Sequence, residues 1–560
     1  MEIPKGELDR QHFYAELVRN CASTRTNRFN FNQALRNYYL FGSQDAKGAP
    51  YNKLGSVIEQ LVSFIYAADS TKFSLKLGTM ADPEDPFKAV ELARELVEQW
   101  RSSKTHLLFG VGIRWSLVYG MMLMKTQWAG RHVRSYLVEP HQFGVLREDI
   151  MDLKDQEAFT HHYTTTKSQL MASLRDNPRK VSIESQISKG GAGDVPSNFA
   201  EGLQRLMVGG PVTGIPGSLA LGGGMSSVEG GMAGKGPPYD YAPRVDVELL
   251  DMCDLYVWSD EDEDYQLVTQ CSPGVVIYDR LASEVGHIKG EPPFSTIRSS
   301  YNLYDYFWGD SYLAKLSWLQ DWRTKRTMEV SSLLSKQANP PVSAIGVGGI
   351  QEEKMATFRA AGGFFSSVTP NGKLEFHPPQ LPNDLFVEIN AIDAMFEDSA
   401  GLGHILQGKG ESGVRSRGQA DLMARLGSAR PKERAMAIEE CAEDIARLIL
   451  LTTQEHSDQR FQVSIPGRGE PLTFTAEQFT KDYEVKVDGH SASPIFTEDL
   501  KHDAVTLFEA HAISREKLLD MFDPPNLQAL KEDLKVIERN EAAQKQLEMQ
   551  MQGAGDARKQ

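Results

Sequence analysis

Residues 304–341, YDYFWGDSYLAKLSWLQDWRTKRTMEVSSLLSKQANPP, constrain the fold more than any other stretch of the chain. Asp310 or Ser311 can cap the free N–H groups of a first helical turn. Asn339 precedes a proline pair, which drives the backbone out of the α region and stops the helix. Between these signals Leu313, Leu316, Leu319, Arg323, Thr327, Val330 and Leu334 recur at three- and four-residue steps, which places them on one stripe. The stripe is apolar at both ends and basic or polar in the middle. Lys315, Arg323, Lys325, Arg326 and Lys336 supply positive charge. A helix of roughly 28 residues is about 40 Å long, well beyond the usual three or four turns. It needs neighbours along its length, and copies of itself in a ring of identical subunits would supply them.

A chain of 560 residues can bury a sizeable core and is expected to hold more than one domain. Its net charge of -16 argues against a basic coat that clings to nucleic acid. It leaves room for contact with DNA that must slide. Cys21, Cys253, Cys271 and Cys441 form no compact framework, so free thiols in a reducing cytosol are expected, although Cys253 and Cys271 could sit on neighbouring strands. MEIPKGELDR lacks a basic and then apolar leader pattern. The most apolar run, 107–124, is interrupted by Arg114 and several glycines, so no membrane span is expected.

Along the chain, residues 8–45, 51–67 and 86–102 read as helices, and 113–128 as a buried helix running into a strand. VRSYLVEPHQFGVL reads as strand and turn around Pro140, and 147–175 as mixed with a helical end. Residues 209–238, dense in Gly, Ser and Pro, read as a surface insertion or linker. Short strands return over 245–280, with a hairpin whose acidic tip is Asp260–Asp264. After the long helix, a second hairpin is expected around Asn371-Gly372. A helix follows from LPNDLFVEIN onward, then helices over 417–456 with a turn at Pro431, over 496–521, and over 526–551.

Candidate chemistry is sparse. GHILQGKG, residues 403–410, matches most of a phosphate-binding loop but has Gly410 where the magnesium-holding hydroxyl belongs, and it follows a helix and not a strand. A glycine-rich turn is the better reading. The acidic run 260–264 reads as a solvated tip and not a cation site. His161 and His162 are adjacent and should diverge, with no third ligand at zinc spacing. No catalytic constellation, metal site or cofactor is expected. Residues 408–434 are locally basic through Lys409, Arg415, Arg417, Arg425, Arg430, Lys432 and Arg434, without interleaved aromatics. Such a set suits either DNA-backbone contact or salt bridges between subunits.

In the order of these segments, over roughly 35–525, the chain resembles the portal proteins of tailed double-stranded DNA bacteriophages. YNKLGSVIEQLVSFIYA resembles the family's early core helix, WSLVYGMMLMKTQW its helix–glycine–strand, and VRSYLVEPHQFGVLRED the strand leading into the wing. YFWGDSYLAKLSWLQDWRTKRTMEVSSLLSKQANPP resembles the stem helix, LPNDLFVEINAIDAMFEDSAGLGHIL the tunnel-loop and kinked-helix region, and GVRSRGQADLMARLGSARPKERAMAIEECAEDIARLIL the following helix pair. AHAISREKLLDMFDPPN resembles a C-terminal helical element of such proteins. The resemblance implies an α+β ring subunit: an N-terminal wing region at 1–208, the Gly-rich insertion at 209–244, a β-rich wing or clip region at 245–303, a stem helix at 304–345, a hairpin and tunnel-loop region at 346–416, and a helical crown and tail at 417–560. It implies a non-enzymatic ring, typically of twelve subunits, in the virion at the capsid vertex, made in the host cytoplasm. Its partners would be duplex DNA in the channel, the terminase, the major capsid protein and a head–tail adaptor, without a membrane. Channel-lining candidates are Lys315, Arg323, Lys325, Arg326 and Lys336 on the stem, and Lys373, His377 and Asn383 in a tunnel loop at 374–386. Arg415, Arg417, Arg425, Arg430 and Arg434 are candidates for subunit or DNA-backbone contacts. Two other classes compete: a nucleotide-dependent packaging enzyme, carried by GHILQGKG alone, and a capsid or tail scaffold without a DNA channel.

Overall fold

The computed structural model describes residues 3–23, 25–44, 49–68, 71–78, 84–130, 132–174, 180–181, 183–185, 249–271, 275–300, 306–338, 340, 342–345, 373–380, 382–401, 429–463, 471–480, 482–487, 504–522 and 530–539. The fold is α+β. In chain order its labelled elements begin with α1 (Glu7–Cys21), α2 (Arg25–Phe41), α3 (Lys53–Ile65), β1 (Phe73–Leu77), α4 (Asp85–Ser102), α5 (Thr105–Tyr119), β2 (Met121–Trp128), β3 (Val133–Val138) and β4 (Phe143–Val145). Next come β5 (Ala158–Thr166), α6 (Lys167–Ser173), β6 (Leu249–Ser259), β7 (Asp264–Cys271), β8 (Val275–Leu281), β9 (Phe294–Arg298) and α7 (Tyr312–Ala338). The chain continues through β10 (Val342–Ile345), β11 (Lys373–Phe376), α8 (Asn383–Ala400), α9 (Ala429–His456), β12 (Arg460–Val463), β13 (Leu472–Thr475), β14 (Tyr483–Val487) and α10 (Arg515–Phe522).

The largest core joins distant parts of the chain. Leu54, Ile58, Leu61 and Ile65 on α3 meet Leu313, Leu316 and Leu319 on α7, Ile392 and Phe396 on α8, and Ile438, Ile445 and Ile449 on α9. Strand β1 completes the same core by pairing antiparallel with β14. The middle third is an antiparallel five-stranded sheet, β4-β5-β6-β7-β8. Alternation along its strands divides its side chains between two cores. Leu255, Val257 and Val268 pack under Tyr14, Leu17 and Cys21 of α1. Phe159, Tyr256, Tyr265 and Leu267 pack on the opposite face against Met121, Leu123, Phe294, Phe307 and Trp308. Met121, Leu123 and Phe294 belong to the second sheet, β3-β2-β9.

Helix α7 is the long rod expected from its periodicity. Ser311 caps it: its Oγ accepts from Ala314 N at 2.9 Å and donates to Val118 O at 2.5 Å. The entry to this helix passes over Gly120, where φ is +98° and an added Cβ would lie 2.9 Å from Gly309 O and 3.0 Å from Ser311 N. Gly120→Ala should therefore cost about 1–3 kcal/mol, seen as a lower midpoint in thermal melts, whereas Gly130→Ala meets nothing within 4 Å and carries only its positive-φ strain.

Several expectations are corrected. The strands over 245–280 are long, 11 and 8 residues for β6 and β7, because both are buried on two faces. Asp264 is not part of a solvated tip. It is buried and accepts from Tyr265 N at 2.8 Å, Gly290 N at 3.0 Å and Ser283 Oγ at 2.6 Å. Strand β11 pairs with β10, Ile345 opposite Lys373, a pairing not expected from the sequence; the turn and first arm of the hairpin expected around Asn371-Gly372 lie outside the described residues. Residues 374–386 are not a loop. They comprise most of β11, a short connection and the start of α8. Pro431 makes no turn. It lies in the first turn of α9, where its missing N–H has no helical partner to lose. The helix expected over 496–521 is interrupted at 510–514, with His511 at φ +55°. Cys253 and Cys271 do lie on neighbouring strands, but the register pairs Cys271 with Met252, so the two thiols face opposite sides of the sheet and stay unbridged.

Candidate functional site

Helices α7 and α8 form an antiparallel pair, and six of the eight channel-lining candidates sit on it. The direction is read from its bridges. Arg323 Nε meets Asp393 Oδ1 at 2.8 Å, while Arg326, further along α7, meets Glu388, earlier on α8, at 2.9 Å. Trp322 Nε1 also donates to Glu388 at 3.1 Å. Asp393 is shared: Lys53 of α3 reaches it at 3.1 Å and Glu397 at 3.7 Å. Burial alone would raise the Asp393 pKa, but hydrogen bonds from Arg323 and Lys53 hold it below the ordinary carboxylate value. The Arg323 guanidinium also stacks 4.5 Å from the Tyr51 ring. Gln320, fully buried on α7, donates to Tyr51 O and accepts from Lys53 N. The polar middle of the α7 stripe is thus a clamp onto α3 and α8. Arg323→Ala should cost about 1.5–3 kcal/mol, because it strips a charged partner from a half-buried carboxylate. Hydrogen exchange of the α8 amides should accelerate in that variant, and unchanged protection would contradict the clamp.

The other candidates divide clearly. Lys315 is exposed and pairs with Asp310 at 3.3 Å. Lys325 and Lys336 are exposed and make no ion pair among the described residues. His377 and Asn383 are exposed, and Lys373 lies on β11. Arg434 stacks over Tyr312 at 4.3 Å and donates to Ser299 O at 3.4 Å, so it bolts α9 to the start of α7. Arg430 lies on the first turn of α9. Arg415, Arg417, Arg425, GHILQGKG and the 209–238 insertion lie outside the described residues.

The far end of α7 stands apart from the body. Among residues 331–338, Leu333 alone is half-buried and the others are exposed. The apolar stripe fails there: Leu334 is 48% exposed. On the same helix pair Trp318, Met328, Val387 and Met395 are each at least 42% exposed.

A cleft of about 350 Å³ between β9 and α9 brings together an enzyme-like set, with Glu291, Arg298, Cys441, Asp444 and Arg447 on its walls. Its Glu291 and Arg447 are already paired. Arg447 grips Glu291 with both terminal nitrogens, and Lys154 adds a contact at 3.3 Å. Burial pushes the Cys441 thiol up to about 12, which leaves it protonated and unreactive.

Sequence reasoning passed over a buried ion pair between two sheets. Lys125 of β2 reaches Asp254 of β6 at 3.2 Å and joins the two sheets. Asp254 also accepts from Thr269 Oγ1 at 2.8 Å and Tyr163 OH at 3.3 Å. Its cross-strand neighbours are His161 and Thr269. The signal was a single lysine inside the apolar run MMLMKTQW. The two adjacent histidines do diverge, and both are largely buried: His161 lies 4.0 Å from Asp254, and His162 lies 3.9 Å from the Cys253 sulfur. No protein-family model and no curated protein matches the chain.

Proposed function

We propose that this chain is the subunit of a portal ring: a homo-oligomer at the capsid vertex that forms the channel for genome packaging and ejection. The observation that carries this reading is the α7–α8 pair, a rod whose far end has no buried residue after Val330 and whose outer faces expose large apolar side chains. A lone soluble chain rarely leaves such surface in water, and a neighbouring copy would cover it. Long helices side by side around an axis make a stiff tube. An acidic wall suits passage of DNA, because each neutralised phosphate would release counterions and hold the duplex in place. On this reading the ring, of about twelve subunits, docks the terminase, the major capsid protein and a head–tail adaptor. No helix among the described residues is long and apolar enough to cross a membrane.

Mass in solution tests the proposal. Twelve copies of 62.4 kDa give about 750 kDa, and light scattering without DNA should report a closed assembly of that order. A species of 62.4 kDa at all concentrations would overturn it.

A further inference from the structure

We infer that mild acid releases the five-stranded sheet from the helical body as a separate unit, through histidines buried at and beside the Lys125–Asp254 contact. The inference does not depend on the ring reading above. Strands β4 to β8 pair in that order with one another, and among the described residues no ladder joins them to another sheet. Side chains packed on the two faces hold the unit in place. One of those faces changes character along its length. Phe159 of β5, Tyr256 of β6 and Leu267 of β7 meet Leu123 of β2 and Phe294 of β9 in an apolar layer. Two residues further along β5 and β2 come His161 and Lys125, on the same face, with Asp254 across from His161.

His161 Nδ1 lies 4.0 Å from Asp254 Oδ2 and has no hydrogen-bond partner among the described residues. His287 Nε2 lies 3.4 Å from the Tyr256 hydroxyl, and its buried Nδ1 is likewise unpartnered among them. Asp254 is the carboxylate that Lys125 and both rings face. It already accepts from Lys125, Tyr163 and Thr269. A proton on either ring therefore sets a second cation beside a buried ammonium, with one carboxylate to serve both. Other neighbours give no relief. Tyr136 of β3 lies across from Lys125, His456 of α9 is 3.4 Å from the His287 carbonyl, and Arg25 of α2 adds its charge near His161. His162 is a third ring on β5. It faces the opposite side, 3.9 Å from Cys253 Sγ, where Arg25 and Asp251 carry opposite charges.

Burial first, and Lys125 second, keep His161 and His287 at about 3, so both rings stay neutral in the closed structure under mild acid. In the released sheet each ring takes up a proton near pH 6.5. The closed form is therefore fully favoured above that value and loses ground as pH falls below it. The helical body lacks the same trigger. Helices α3, α7 and α8 contain no histidine, and α9 has one, His456, at its last residue. Once the sheet has let go, its histidines have taken up their protons and drive nothing further. Parts of one fold can open at different free energies, and here the acid-sensitive rings gather in one part.

Hydrogen exchange of the full-length chain, resolved by mass spectrometry and corrected for intrinsic rates, tests this in two ways. From pH 7 to pH 5.5 each histidine should shift the opening equilibrium of the sheet about eightfold, so the amides of β5, β6 and β7 should lose protection on the order of several hundredfold. His161→Gln/His287→Gln should reduce that loss to about eightfold, the share of His162. Each ratio is taken within one protein, so a variant less protected at both pH values still gives the answer. In short labelling pulses after equilibration at stepwise lower pH, β5, β6 and β7 should become labelled about half a pH unit or more above the point at which α3 and α9 do. Labelling of sheet and helices at the same pH would overturn the inference. So would a double variant that loses as much protection as the wild type, or wild-type sheet protection that is the same at both pH values.

Discussion

Asp254→Ala should lower the unfolding free energy by about 3–5 kcal/mol, one of the two largest effects expected in this chain. The carboxylate is buried between two sheets and receives Lys125, Thr269 and Tyr163. Burial alone would raise its pKa, yet the Lys125 charge, His161 and the Thr269 hydrogen bond hold it below the ordinary value. Removing it strands the Lys125 ammonium beside the rings of Tyr256 and Phe294, 5.8 and 5.5 Å away. Two hydroxyls lose their acceptor at the same time. Lys125→Met/Asp254→Val should recover much of the loss, since no lone charge then stays buried. Urea denaturation followed by tryptophan fluorescence gives the comparison. A loss under about 1 kcal/mol for Asp254→Ala would show that water reaches the site.

Acid should unfold the chain well above the range in which carboxylates titrate. Burial first, and nearby cations second, push His161 and His287 down to about 3 and His141 to about 4, and His162 falls well below its ordinary value. The sign follows from linkage. The folded pKa values lie below the unfolded value near 6.5, so the unfolded chain takes up protons first. This contribution is therefore complete above about pH 6.5 and is lost as pH falls toward the folded values. Each histidine removes about 1.4 kcal/mol per pH unit, and four acting together approach roughly 5 kcal/mol per unit. Stability measured by urea at pH 7, 6 and 5 should drop steeply, and His161→Gln/His287→Gln should halve the slope. A flat profile from pH 7 to pH 5 would contradict the burial of these rings.

Local signals in the sequence carried the helices well. The stop at Asn339-Pro340 and the Ser311 cap bound α7 to within a residue or two, because both act through nearest-neighbour chemistry. The apolar spacing of α3 gave its buried face, Leu54, Val57, Ile58, Leu61 and Ile65. What failed was long-range pairing. The pairing of β11 with β10, from about 30 residues upstream, had no local signal. Asp264 looked like one of five surface acids, and only the approach of Ser283 and Gly290 makes it a buried anchor. The candidate cations illustrate the same limit. Helical periodicity put Arg323 and Arg326 on the rod, yet nothing nearby in sequence revealed that Asp393 and Glu388 hold them within the chain. The lysines left outward, at 315, 325 and 336, became distinguishable once α8 was in place.

Electron micrographs of the purified protein viewed along its symmetry axis test the central claim most directly. The account predicts a closed ring with an axial opening of about 20 Å or more, enough for a duplex, and α7 running in its wall. Particles that are compact single chains, or assemblies with no passage through them, would contradict it.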